Sequence, residues 1–363
     1  MSKKINQVEP NISEQDIQRV NDYMSSGAWI TEHALTKELE DKIADFVGRK
    51  YAIAVPNGTI AIYLSLLAAG LTEGKRVAVP NITMIATINA ILWAGAEPVI
   101  IDLNERLCMS LKSLQTVEKL DGVIYVPLNG RTEDGIAIEN YCNEKNIILI
   151  EDSAHALGSK YQDKMCGSLG SLSVFSFTPH KIITMGQGGL VLTDDDNFYE
   201  YLIGLKTFNR SKDKSDWHEG YGLNFKITDL QSALGLSQFE QINEFIKVKK
   251  EMFKIYDKEI VNYNFINFLE YETPWFVDLI CESEIDRDTL KSLLEETANI
   301  LTRESYPALS KQGFLKSVEK TNVEFSENIS EKILWLPSST DLKKDQIEEI
   351  ADQIEDIYSY SGM

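Results

Sequence analysis

The sequence predicts an α/β fold with a second, smaller lobe, and three features of the 363-residue chain carry that expectation. Between residue 50 and about residue 195, short β-branched apolar runs alternate with longer helix-like stretches. From Ile227 a helical pattern then runs with few breaks towards Tyr256. Beyond it the strand signals weaken and two further helical stretches follow. Alternating strand and helix patterns argue for a mostly parallel sheet covered on both faces. The long helical stretch reads as the join to an α+β lobe, which gives expected domains of 1–245 and 246–363.

Taken in order, the chain opens with helix-like stretches at Ser13–Ser25 and Leu35–Val47, broken around Ser26-Gly27-Ala28-Trp29. Strand-like runs follow at Tyr51–Val55, Arg76–Pro80, Pro98–Leu103, Val123–Pro127, Ile147–Glu151, Ser173–Phe177 and Leu190–Thr193. Helical stretches lie between them at Thr59–Ala69, Met84–Ala94, Leu111–Glu118 and Ile136–Glu144. In the second lobe, Phe265–Leu269 and Trp275–Cys281 read as strands, and Asp286–Ala298 and Lys344–Tyr358 as helices. Ligands of such sheets bind at the carboxyl ends of the strands, where loops lead into helices.

Composition narrows the function. With 36 basic and 56 acidic residues the formal charge is −20. A chain so acidic lacks the basic face that nucleic-acid phosphates require, and anionic membrane surfaces are disfavoured for the same reason. No apolar run reaches the length of a membrane span, and the first residues lack a signal-peptide apolar core. Cys108, Cys142, Cys166 and Cys281 form no CxxC and read as reduced thiols, so the expected location is cytoplasmic. Four histidines without ligand spacing leave no expected metal site.

Three segments carry chemistry. Val55-Pro56-Asn57-Gly58-Thr59 links a strand to a helix, where glycine admits close backbone approach and the first helical N–H groups favour an anion. Asp152 ends the apolar run Ile148-Leu149-Ile150-Glu151, the position at which α/β active sites collect. Lys181 follows Phe175-Ser176-Phe177-Thr178-Pro179-His180 and precedes Gly186-Gln187-Gly188-Gly189, and burial there lowers a lysine's pKa towards a neutral nucleophile. Each has a plainer reading when taken alone: a threonine-capped turn, a capping aspartate, an exposed loop lysine. Their order is more specific. A phosphate cradle, a strand-end carboxylate and a lysine 29 positions later (181 − 152) are the parts of a pyridoxal-phosphate site.

At these residues the sequence resembles the DegT/DnrJ family of sugar aminotransferases. The stretch from Glu151-Asp152-Ser153-Ala154-His155 to Lys181 and the glycine cluster carries the likeness. Trp29-Ile30-Thr31, Asn57-Gly58-Thr59 and Thr83-Met84-Ile85-Ala86-Thr87 add to it, as do Leu223-Asn224-Phe225-Lys226-Ile227-Thr228-Asp229 and Thr302-Arg303. Within the family the motifs look most like the GDP-perosamine synthase branch.

The resemblance implies an aspartate-aminotransferase-type fold (fold type I), pyridoxal 5'-phosphate as cofactor, and a homodimer that shares its active sites. It makes Lys181 the Schiff-base lysine and acid/base. It places Asp152 at the pyridine nitrogen, His155 near the ring oxygen, Met84 on the ring face, and Gly58, Thr59 and Ser176 on the phosphate. Asn224 would reach the neighbouring subunit's phosphate, and Trp29, His218 and Arg303 would touch substrate. The implied reaction is transfer of an amino group from glutamate to a nucleotide-linked 4-keto-6-deoxyhexose, with GDP-4-keto-6-deoxymannose favoured over dTDP- or UDP-linked sugars. The products of such enzymes commonly enter polysaccharide or O-antigen biosynthesis. The polar run Asn209-Arg210-Ser211-Lys212-Asp213-Lys214 is a candidate basic lip over the nucleotide, or a solvated loop.

Departures from the family pattern are Met84 in place of an aromatic residue, Lys226 in place of arginine and Gln187 in place of glutamate. A histidine usual shortly after the Arg303 position is missing from Glu304-Ser305-Tyr306-Pro307-Ala308-Leu309-Ser310. They bear on the sugar rather than on the cofactor. Sugar dehydratases of this fold carry histidine in place of the lysine, so Lys181 favours transamination. A non-catalytic regulatory homologue would hold no coloured cofactor.

Overall fold

The computed structural model describes residues 4–361. Two helices open it, α1 (Glu14–Ser25) and α2 (Ala34–Val47). Next come β1 (Tyr51–Val55), α3 (Gly58–Ala68), β2 (Arg76–Pro80), α4 (Ile85–Trp93) and β3 (Glu97–Ile101). The one-turn α5 (Leu111–Leu114), β4 (Gly122–Tyr125), α6 (Gly135–Lys145) and β5 (Ile148–Asp152) continue the alternation. A short hairpin, β6 (Lys160–Tyr161) and β7 (Lys164–Met165), leads to β8 (Leu172–Ser176), β9 (Gly189–Thr193) and α7 (Asp196–Lys206). Helices α8 (Asp229–Glu240) and α9 (Ile242–Glu259) pass to the second lobe. There lie β10 (Asn264–Phe265), β11 (Asp278–Ile280), α10 (Glu284–Ala298), β12 (Arg303–Glu304), β13 (Glu319–Lys320), α11 (Glu324–Ser330), β14 (Ile333–Trp335) and α12 (Lys344–Ser361).

The large sheet has the order β1-β9-β8-β5-β4-β2-β3-β13. It is parallel from β8 to β13, and β9 alone runs antiparallel to both of its neighbours. The sheet is therefore mostly parallel, as expected, and its strands other than the exposed edge strand β13 are largely buried. Helices α3 and α4 cover one face with Ile62, Leu66, Ile88 and Ile91. Ile138 and Cys142 of α6 help to cover the other. The second lobe has its own sheet, ordered β10-β11-β14-β12, on a core built by α9, α10 and α12.

Several boundaries differ from the sequence expectation. The helical stretch from Ile227 is two helices, because Gln241 sits at φ −94° and ψ −1°, between helical and turn geometry. Its side chain donates to Asp16 and to the Ser237 carbonyl. The stretch expected at Leu111–Glu118 is a single turn. β-Branched Thr116 and Val117 follow it, and the Thr116 hydroxyl donates back to the Ser113 carbonyl. The strand expected at Trp275–Cys281 narrows to β11, since Trp275 turns towards the large lobe instead.

The Thr228-Asp229 motif has a structural explanation. Thr228 and Gln231 form a capping box on α8, while Asp229 caps a different helix. Its carboxylate accepts the backbone N–H groups of His33, Leu35 and Thr36 at 2.8, 2.9 and 3.0 Å, where His33 offers α2 no side-chain cap. Burial pushes the Asp229 carboxyl up, but a bond from the Thr36 hydroxyl and the three backbone N–H groups hold it below its ordinary range.

The lobes meet around Asp278, on β11. Arg131 Nη1 lies 2.6 Å from Asp278 Oδ2, and both side chains are fully buried. Asn129 Nδ2 donates to both carboxylate oxygens at 2.8 and 3.0 Å, and Trp335 Nε1 donates to Oδ1 at 2.7 Å. Nearby, Lys249 falls on the buried stripe of α9, where helical periodicity would place an apolar residue. Its amine donates to the carbonyls of Trp275 (2.8 Å) and Ser338. Burial lowers this lysine's pKa to about 7.

Two stability predictions follow from these buried groups. Arg131→Met strands a buried carboxylate and is expected to cost about 3–5 kcal/mol in urea unfolding, whereas the double change with Asp278→Leu recovers part of the loss. Lys249 binds a proton in the unfolded chain above pH 7 but releases it in the native one, so native stability rises with pH from about 7 upwards. Lys249→Met is expected to flatten that rise by up to ~1.4 kcal/mol per pH unit, read from unfolding midpoints through the neutral-to-alkaline range.

Candidate active site

The paired strands bring the predicted segments together. Val55, at the end of β1, and Ser176, at the end of β8, both pair with Gly189, the first residue of β9. The start of α3 thereby lies beside Ser176. A Cβ at Gly58 would sit 2.8 Å from the Ser176 Cβ, and one at Gly189 would sit 2.5 Å from the Asn57 carbonyl carbon. Both glycines are required by close approach. The cap of α3 is Asn57, whose Oδ1 accepts the Ile60 N–H at 3.0 Å, and not Thr59. Thr59 Oγ1 thus stays available at a helix N-terminus that favours an anion.

Asp152 ends β5 next to Val174 of β8 and is 4% exposed. It accepts Thr87 Oγ1 at 2.9 Å and the Ala154 N–H at 3.3 Å. Thr83 lies within hydrogen-bond distance of Thr87, so both threonines of the Thr83–Thr87 motif serve this carboxylate. Burial pushes the Asp152 carboxyl up, against Thr87, Ala154 and the nearby Lys181 amine.

Lys181 occupies the turn between β8 and β9, its N–H bonded to the Thr178 carbonyl. Burial lowers its amine to about 7, helped by the Arg303 guanidinium and opposed by Asp152. An amine so placed is partly neutral at physiological pH. His155 is kept neutral, its pKa held well below the ordinary imidazole value by burial and by the charges of Lys181 and Arg303. Its Nδ1 is buried without a hydrogen-bond partner.

These groups line one cleft of about 390 Å³, which holds Gly58, Thr59, Met84, Asp152, His155, Ser176, Lys181 and Arg303 of the predicted set. Trp29, His218 and Asn224 are absent from its lining. Trp29 is two-thirds exposed, and its carbonyl accepts the Tyr23 hydroxyl. Asn224 is exposed and pairs with Thr207 in an isolated bridge. His218 is exposed, with Nδ1 2.8 Å from the Phe208 carbonyl. The Asn209–Lys214 run also lies outside the cleft, where Arg210 meets Asp216 and Lys214 lies over the Trp217 ring.

The cleft also contains residues to which the sequence reading gave no role: Thr87, His180, Trp275 and Tyr306. The last two come from the second lobe and form its aromatic wall. Arg303 lies over the rings of Tyr306 and Trp335 at 5.7 and 5.4 Å. The available signal was weak: an apolar run beginning Trp275-Phe276-Val277 reads as a strand before it reads as a wall.

The residues suit pyridoxal 5'-phosphate. A helix N-terminus with Gly58, Thr59 and Ser176 matches its phosphate, the unpartnered His155 nitrogen awaits a polar ring substituent, and Asp152 can accept a bond from a ring N–H.

Comparison with known proteins agrees with this geometry. Residues 10–355 match the profile of the DegT/DnrJ/EryC1/StrS aminotransferase family. GDP-perosamine synthase of Escherichia coli O157:H7 is 32% identical over 97% of this chain and 98% of its own length. The Vibrio cholerae GDP-perosamine synthase is 30% identical, with the same coverage. Among solved structures, Helicobacter pylori PseC, an aminotransferase involved in the biosynthesis of pseudoaminic acid, superposes with a TM-score of 0.92. That superposition covers 98% of this chain and all of PseC at 21% identity, which speaks for the fold. On a match spanning nearly its whole length, the chain belongs to the DegT/DnrJ/EryC1/StrS aminotransferase family.

Proposed function

We propose that the protein uses pyridoxal 5'-phosphate to move an amino group from glutamate to C4 of a nucleotide-linked 4-keto-6-deoxyhexose, with GDP-4-keto-6-deoxymannose as the favoured acceptor. One observation carries the chemistry: a buried lysine amine, depressed to about 7, shares a cleft with the strand-end carboxylate Asp152. The choice of sugar is supported by the two GDP-perosamine synthases, each similar over almost the full length.

When bound, the cofactor supplies an electron sink for cleaving the C–H bond beside the transferred nitrogen. The chain's own residues do the rest. Asp152 holds the proton of the ring nitrogen, with Thr87 and the Ala154 N–H fixing its orientation. Gly58, Thr59 and Ser176 hold the phosphate at the start of α3, Met84 packs against the ring face, and neutral His155 meets the ring oxygen. Lys181 Nζ accepts and returns the proton, a task suited to a pKa near the working pH. Arg303, stacked on aromatic rings with its charge facing the cleft, is the anion contact of the substrate wall.

The reading includes a homodimer. Exposed Trp93, Tyr201, Phe208, Trp217 and Tyr221 support a covered face, and the partner subunit's Asn224 would complete the phosphate site. Trp29, His218 and the Asn209–Lys214 lip would then serve the nucleotide sugar from that face. A cytoplasmic location is supported by four free, buried cysteines. Among the described residues, no helix is long and apolar enough to cross a membrane.

The deciding experiment is the half-reaction. Protein loaded with pyridoxal phosphate and exhausted with glutamate is expected to release 2-oxoglutarate. Titration with GDP-, dTDP- and UDP-linked 4-keto-6-deoxyhexoses then restores the original absorbance, with the GDP sugar effective at the lowest concentration. Restoration only by a dTDP or UDP sugar would overturn the acceptor, and release of a hydroxyl without transfer of nitrogen would overturn transamination. Lys181→Ala is expected to lose the cofactor's visible absorbance and at least ~10²-fold in turnover, the lower end for a placed proton carrier.

A further inference from the structure

Trp275 touches two of the titratable groups of the cleft, His155 and Lys181. It enters from the second lobe and is 5% exposed. Its backbone is fixed at both ends: the N–H donates to the Asn129 carbonyl at 3.0 Å, and the carbonyl accepts Lys249 Nζ at 2.8 Å. The indole N–H donates to the His180 carbonyl at 2.7 Å, which ties the ring to the backbone next to Lys181. The ring stacks on Phe276 at 3.8 Å and on His155 at 4.0 Å, with 26° between the His155 and indole planes. Lys181 Nζ lies over it, 3.9 Å from the ring centroid.

We propose that Trp275 is a positioning residue whose indole face seats the Lys181 ammonium whenever that amine is not bonded to the cofactor, and whose stack fixes the plane of His155. A proton-carrying lysine must be stable in both charge states, yet burial and Arg303 each disfavour the charged one. Asp152 favours it, but Asp152 is also the group that faces the ring nitrogen of a bound cofactor. The indole face attracts the cation through its quadrupole and offers no basic lone pair. It thus stabilises the ammonium without competing as a base.

The other groups around the lysine do not take this part. His155 and His180 are both held towards their neutral forms, Tyr306 is pushed by burial towards its protonated form, and Arg303 repels. Lys249 is turned away, with its amine on the Trp275 and Ser338 carbonyls. The tether to His180 explains why the ring does not drift off the lysine. The two bonds to the Trp275 backbone explain why the indole projects from a short segment rather than from a strand.

The inference rests on Lys181 as the cofactor lysine, and its test keeps the two apart. Competitive acetylation of the full chain, before cofactor is added, gives the pKa of Lys181 when peptide masses are followed across a pH series. In Trp275→Leu that pKa is expected to fall by about one unit, the size of a desolvated cation–π contact. Trp275→Phe, with a weaker π face, is expected to fall by less. The order Trp, Phe, Leu is the expected result. An unchanged value in either folded variant, a rise in either, or equal falls in both would overturn the proposal, since a merely space-filling ring gives one of those outcomes. If Trp275→Leu fails to fold, as judged by circular dichroism, the fall in Trp275→Phe decides alone. Borohydride trapping of pyridoxal phosphate on wild-type protein, followed by peptide mapping, reports separately whether Lys181 is the cofactor lysine.

Discussion

The Asp278 carboxylate is the constraint on which the cleft's geometry depends. It is a charge with no access to water, and three donors from two lobes converge on it. A buried ion pair adds little net stability compared with an apolar replacement, but it tolerates very few arrangements. Here the arrangement fixes Trp335, and Trp335 braces the wall formed by Phe276, Tyr306 and Trp275. The second lobe could pack on the first in several ways through apolar contact alone. Only one of them brings Asn129 and Arg131 to Asp278 while the Trp275 indole meets the His180 carbonyl.

The large lobe was legible because its signals are local. Strand and helix periods, and the short segments Asn57–Thr59, Ile148–Asp152 and Phe175–Lys181, depend on neighbours in sequence. The aromatic wall was not legible, because Trp275 and Tyr306 gain their places from contacts with His155, His180 and Lys181, all 94 or more positions away, whereas Arg303 was reached through its motif. Lys249 is intermediate: a lysine in an apolar helical stripe is visible in the sequence, but its two carbonyl partners are not. The antiparallel course of β9 also escaped the reading, since apolar runs buried on both faces look alike in either direction. That course matters, for it sets Gly189 between Val55 and Ser176 and so brings the start of α3 beside Ser176 at one end of the cleft.

The acidity of the chain contrasts with the cleft itself. The formal charge is −20, yet the cleft gathers Lys181, Arg303 and a helix N-terminus around one carboxylate. A negative surface far from the site is screened within about 10 Å at ordinary ionic strength, whereas groups gathered within one partly buried cleft are screened much less. Net charge therefore describes how the molecule behaves towards polyanions at large. It says little about an anion already at the cleft, where the cationic groups that matter face inward.

The two lobes also exchange strands at their margins. Ile5, near the start of the chain, pairs with Ile300 and is buried in the core of the second lobe. Conversely β13, from the second half of the chain, completes the edge of the large sheet beside β3. Each lobe is thus laced into the other like the two halves of a closed boot. Polypeptide emerging from a ribosome could build most of the parallel sheet early, but its β3 edge stays bare until residue 320 arrives. The second core likewise waits for α12 to pack beside Ile5, which precedes it by most of the sequence. Assembly of this molecule is consequently a whole-chain event, completed by residues that lie near its two ends.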